Sequence, residues 1–137
     1  MPARYMARIA DGMLTEALAT GGAVQVKGPK WCGKTATSLQ QAASVVYLQD
    51  PDRSASYLAL ADAKPSALLE GRVPRLIDEW QMAPQLWDAV RFAVDLRGEL
   101  GQFILTGSST PAVGGAHSGV GRIAPMVMRT MTLFESE

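Results

Sequence analysis

Residues 26–37, VKGPKWCGKTAT, hold a glycine, four intervening residues and then Gly-Lys-Thr. Gly28-Pro29-Lys30-Trp31-Cys32-Gly33-Lys34-Thr35 therefore fits the phosphate-binding loop pattern G-x-x-x-x-G-K-[ST] in full. Glycines at these places let backbone N–H groups curl around phosphate oxygens. A helix that follows points its positive end at the same spot. The flanking sequence meets that requirement. AVQV before the loop is a short β-branched run after a Gly-Gly break, and TATSLQQAA after it has a helix-compatible composition. A chain with this loop is constrained to put a strand in a sheet, turn sharply at its carboxyl end, and start a helix there.

The rest of the chain supplies the sheet. SVVYLQD, PRLIDEW, GQFILTGSS and RIAPMVMRTMTLFE read as further strands, the last entered after Pro125. MARIADGMLTEAL places Met6, Ile9, Met13, Leu14 and Leu18 at helical spacing. RSASYLALADA reads as a helix ending before Pro65, and PSALLEG as a further helical turn. APQLWDAVRFAVDLRG is the clearest helix. Leu86, Trp87, Val90, Ala93 and Val94 line one face and Gln85, Asp88, Arg91 and Asp95 the other, with Gly98 placed to end it. Asp50 and Asp52 read as turn formers. Strands alternating with helices predict an α/β fold, a P-loop NTPase three-layer sandwich with a mostly parallel five-stranded sheet. With 137 residues, one domain over 1–137 is expected.

Composition closes off other classes. Thirteen Lys and Arg balance thirteen Asp and Glu, without a basic run, so no charge signal points to nucleic acid or an anionic membrane. One Cys and one His exclude an internal disulfide and make a structural zinc site untenable. No signal-peptide core and no apolar run near the ~20 residues of a membrane helix is present, so the chain reads as cytoplasmic.

The loop implies a nucleotide and Mg²⁺ as ligands. Gly28, Pro29, Lys30, Trp31, Cys32, Gly33, Lys34, Thr35 and Ala36 form the expected phosphate cradle, with Lys34 reaching the β- and γ-phosphates and the Thr35 hydroxyl on Mg²⁺. Such a site needs an acid at the end of a neighbouring strand. Asp78 is read as the metal acid, and Glu79 as the general base that polarises water. The FILTGSS strand would end beside the γ-phosphate, and Ser108 is taken over Thr106 as the hydroxyl that orients the water. Against these stand plainer roles: a Gly-rich turn, a solvated strand end, ordinary strand-to-loop chemistry. Trp31 is read as covering the loop and Cys32 as a small filler. Trp87 is read as core, Trp80 as able to face either way, and His117 as solvent-exposed. Arg122 is weighed as an arginine finger acting in trans against a solvated side chain.

The stretches YMARIAD, GAVQVKGPKWCGKTATS, YLQDPD, PSALLEG, PRLIDEWQMAPQLWDAVR, GQFILTGSSTP and HSGVGRIAPMVMRTMTLFESE follow one another in order. Together they resemble the AAA-type ATP-binding domain of a large prokaryotic family that carries a C-terminal domain of unknown function. The resemblance covers essentially the whole chain. It implies that the FILTGS strand lies between the acid strand and the phosphate-loop strand, that the nucleotide is ATP, and that hydrolysis is the reaction. It implies ring-type homo-oligomers as an assembly, and places RYMAR near adenine. Family members continue past LFES into a helical region and a second domain, so this chain is expected to represent the ATPase core without them. The family often has Arg-Pro where Arg129-Thr130 stands here, which weakens a role for Arg129.

Three functions follow. The first is Mg²⁺-dependent ATP binding and hydrolysis driving a conformational switch. The second is a non-catalytic nucleotide-binding or interaction module. The third, a small-molecule kinase or GTPase, is disfavoured: the chain contains no Asn for a guanine-reading Asn-Lys-x-Asp, and no Arg-rich lid segment.

Overall fold

A computed structural model describes residues 2–28, 34–108 and 123–127, and the side chains of 11–28, 35–107 and 123–126. The elements run α1 (Pro2–Thr20), β1 (Ala23–Gly28), α2 (Lys34–Gln41), β2 (Ser44–Tyr47), α3 (Ser54–Ala63) and a 3-10 turn, η1 (Pro65–Leu69). They continue with β3 (Arg75–Asp78), a second 3-10 turn η2 (Trp80–Met82), α4 (Gln85–Arg97), β4 (Phe103–Ser108) and β5 (Ile123–Val127). The five strands form one sheet in the order β2-β3-β4-β1-β5, and every neighbouring pair is parallel. β4 thus separates the acid strand β3 from the phosphate-loop strand β1, as the resemblance implied.

Strand alternation builds the three layers, because successive side chains leave opposite faces. On one face Val24, Val26, Leu76, Ile104 and Met126 pack with Leu14 and Leu18 of α1. On the other, Ala23, Ile77, Phe103, Leu105 and Ile123 pack with Ala61 of α3, Leu68 and Leu69 of η1, and Leu86, Trp87, Val90 and Val94 of α4. Both faces are covered by helices, the usual condition of a parallel sheet.

The helix readings hold at α4, where Leu86, Trp87, Val90 and Val94 are buried. Gly98 ends it in the left-handed region at φ 64, its N–H bonding to the Val94 carbonyl at 2.9 Å. The turn role of Asp50 also holds: its Oδ1 accepts from the Asp52 N–H at 2.9 Å. At the amino end of the sheet the partly buried Arg75 guanidinium is bound by neutral oxygens. It donates to the Leu68 carbonyl at 2.6 Å and the Ser44 hydroxyl at 3.0 Å, and burial lowers its pKa from the usual guanidinium value.

Three expectations are corrected. Met13 is 48% exposed, so the buried stripe of α1 narrows to Leu14 and Leu18 among the described side chains. β5 begins at Ile123 rather than after Pro125. Pro125 lies inside it opposite Gln25. A strand can hold this proline because β5 is the outer strand of the sheet among the described residues, with no ladder to donate to on one side there. β3 stops at Asp78: Glu79 is left-handed at φ 60, ψ 52, and Trp80 already belongs to η2.

Candidate functional site

The parallel sheet ends its strands on one edge, and that edge gathers the acids and hydroxyls. In the register, Asp78 of β3 lies opposite Thr106 of β4, and Ser108 of β4 opposite Gly28 of β1. Thr35 stands in the first turn of α2, beneath which β1 delivers the chain. Its hydroxyl donates to Asp78 Oδ1 at 2.8 Å. The Thr106 hydroxyl donates to the same oxygen at 2.7 Å. One carboxylate oxygen therefore accepts from two hydroxyls that come from elements 28 and 43 residues away in sequence. Asp78 and Thr106 are both buried.

Glu79 follows directly. Its backbone N–H reaches the Thr106 hydroxyl at 3.3 Å, so Thr106 links the backbone of one acid to the side chain of the other. Glu79 sits in a left-handed turn, and its side chain has a different partner from that of Asp78. The Glu79 carboxylate accepts from Gln81 Nε2 at 2.6 Å. Trp80 is buried between them and stacks at 5.0 Å, tilted by 41°, on Trp87 of α4. That contact ties the η2 turn to the helix layer and settles the direction that the sequence left open.

Of the residues singled out from the sequence, the structure brings Thr35, Asp78 and Glu79 to one edge of the sheet. Gly28 ends β1 there, and Lys34 opens α2. Ala36 follows Thr35 on α2 with an exposed side chain. Pro29, Lys30, Trp31, Cys32 and Gly33, the side chains of Lys34 and Ser108, and all of His117, Arg122 and Arg129 lie outside the described residues. Thr106 is the residue that sequence reasoning passed over. Parity gave only a partial signal, since it puts Thr106 on the face of Ile104 but does not separate it from Ser108. Leu76 and Asp78 share the matching face of β3, and Ile104 and Leu76 sit in one core cluster. Gln81 was missed because nothing in its local sequence marks it.

The donor set suits a hard divalent cation. A threonine hydroxyl and a carboxylate, both oxygen, are the protein groups Mg²⁺ takes alongside substrate phosphates and water. No group of three or more His, Cys, Asp or Glu that could hold a metal by themselves occurs among the described residues. No helix among them is long and apolar enough to cross a membrane.

A family described as "AAA domain" matches residues 20–137. No curated protein matches the chain. Among solved structures, the Holliday junction branch migration motor RuvB of Thermotoga maritima is similar over 87% of this chain, at 19% identity and a TM-score of 0.47. The chain spans 44% of that protein's length.

Proposed function

We propose that this chain, which belongs to the AAA domain family, binds Mg²⁺-ATP along the carboxyl edge of its sheet and hydrolyses it to ADP and phosphate. The observation that carries the reading is the shared oxygen of Asp78. Thr35 from the phosphate-loop helix and the acid of a strand two places away meet on it at 2.8 Å. That juxtaposition is the one a phosphate loop and a metal acid require. Thr35 and Asp78 would hold Mg²⁺, which when bound offsets the negative charge of the phosphates. Lys34 opens α2 at the loop's end and reaches the β- and γ-phosphates, adding its charge there.

The hydrolytic step is assigned to Glu79. Its carboxylate accepts a proton from a water molecule as the water oxygen bonds to the γ-phosphorus. The bond between that phosphorus and the β–γ bridging oxygen breaks, and ADP carries the electron pair away. Thr106 holds the Glu79 backbone and the Asp78 side chain in fixed relation, so metal acid and base act as one unit. Ser108, opposite Gly28 in the register, is the hydroxyl proposed to orient the water. Loss of the γ-phosphate is read out as a conformational change of the chain.

Phosphate release and ATP binding, measured side by side in three proteins, test this. Glu79→Gln should keep Mg²⁺-ATP binding and slow release by ~10²-fold or more, the size of a general-base contribution. Lys34→Ala should lose binding. Unchanged release in Glu79→Gln removes the base assignment. Binding without release in the parent chain supports instead a non-catalytic nucleotide module.

A further inference from the structure

We propose that Gln81 is a positioning residue for hydrolysis, its side-chain amide aiming the Glu79 carboxylate over the end of β4 and Gly107 providing the seat. The inference rests on the assignment of Glu79 as base and adds a residue to that site. Gln81 lies in the η2 turn, two residues after Glu79. Its Nε2 donates to Glu79 Oε1 at 2.6 Å, the short range of a bond to a charged acceptor. Glu79 is thereby held at two points. Its N–H is held by the Thr106 hydroxyl and its carboxylate by Gln81. A flexible side chain leaving a left-handed backbone position gains a single direction.

The other end of the amide shows what the contact is for. Gln81 Oε1 is buried and has no hydrogen-bond donor among the described residues. A glutamine serving only to knit the turn together would satisfy both ends, as buried polar groups generally do. Among the described residues one end serves Glu79 and the other lies against backbone. That backbone is Gly107, where a Cβ would stand 2.4 Å from Gln81 Oε1 and 3.2 Å from Trp80 Nε1. Gly107 is in regular strand pairing with Lys27 of β1, so what its missing side chain provides is space. The amide therefore lies over the strand that separates the acids from the phosphate loop.

Single-turnover hydrolysis, with the chain in excess over labelled Mg²⁺-ATP, reads the chemical step apart from binding. Gln81→Met keeps the length of the side chain and removes the amide. It should slow the step by ~tenfold or more while leaving the Mg²⁺-ATP Kd within about twofold, a loss confined to kcat. Gly107→Ala reaches the same contact without touching Gln81 and should reproduce the loss. In the Gln81→Met background Gly107→Ala should add nothing, because both act through one contact. A chemical step in Gln81→Met within about twofold of the parent overturns the inference, as does a fully additive Gly107→Ala effect. An unchanged step in Glu79→Gln, run in parallel, overturns the base assignment and this inference with it. A slowed step in Glu79→Gln beside an unaffected Gln81→Met leaves the base in place and removes only Gln81.

Discussion

At the scale of single residues, Thr106 binds the candidate site together. Its hydroxyl gives its proton to Asp78 and takes one from the Glu79 backbone, and it is fully buried while doing so. A hydroxyl with both functions used in the interior cannot be replaced by a methyl group without cost. Thr106→Val keeps the shape and strands a buried backbone N–H. The expected loss is about 1–3 kcal/mol of folding stability, measured by denaturant titration. Stability equal to the parent would show that the two bonds carry no net weight. Sequence gave little access to this residue. Thr106 and Ser108 are two apart on one strand and share a face, so only the register against β3 tells which meets Asp78. Register is a property of the assembled sheet. The left-handed turn at Glu79 was equally hidden, since Glu carries no preference for positive φ.

At the scale of elements, the packing of α4 against β1 sets how the acid turn is supported from below. Trp80 of η2 stacks on Trp87 of α4, and α4 packs by Val94 against the start of β1. Gly22 makes that approach available: a Cβ there would lie 2.2 Å from Val94 Cγ1. Its carbonyl also accepts from the Gln102 N–H at 2.8 Å, so the backbone cannot easily retreat. Gly22→Ala is expected to destabilise the fold by roughly 1–3 kcal/mol, the usual cost of overpacking. Adding Val94→Ala should make the pair more stable than the sum of the two single changes, by at least ~0.5 kcal/mol. Strict additivity, measured by thermal or urea unfolding, would place the strain elsewhere. Elements of this kind were largely legible. The apolar runs marked β1, β3 and β4, and the period of Leu86, Trp87, Val90 and Val94 marked the buried face of α4. The start of β5 was misplaced because a proline normally stands at a strand's beginning. Its tolerance within β5 follows from an outer position among the described strands that only sheet order reveals.

At the scale of the molecule, sheet order converts scattered signals into one site. β1 ends at Gly28 and β3 at Asp78, and β4 between them sets Thr106 against Asp78 and Gly107 against Lys27 of β1. The reading of an α/β fold with the acid strand set apart by the FILTGS strand holds, because the loop motif dictates a strand–turn–helix and the apolar strands need cover on both faces. What the sequence could not supply was the closing geometry at the edge: which hydroxyl bonds which carboxylate, and what holds the Glu79 side chain. The central claim is that Thr35 and Asp78 act as a metal site for bound ATP. Its most direct test is the ATP dissociation constant in Mg²⁺ and in EDTA, followed by tryptophan fluorescence, for the parent and for Asp78→Asn. Asparagine keeps a carbonyl oxygen for the two hydroxyls and removes the charge. The parent should bind ATP more tightly with Mg²⁺ than without, and Asp78→Asn should lose most of that gain while binding in EDTA stays within about threefold. An Asp78→Asn chain that keeps the parent's full Mg²⁺ enhancement would contradict the account.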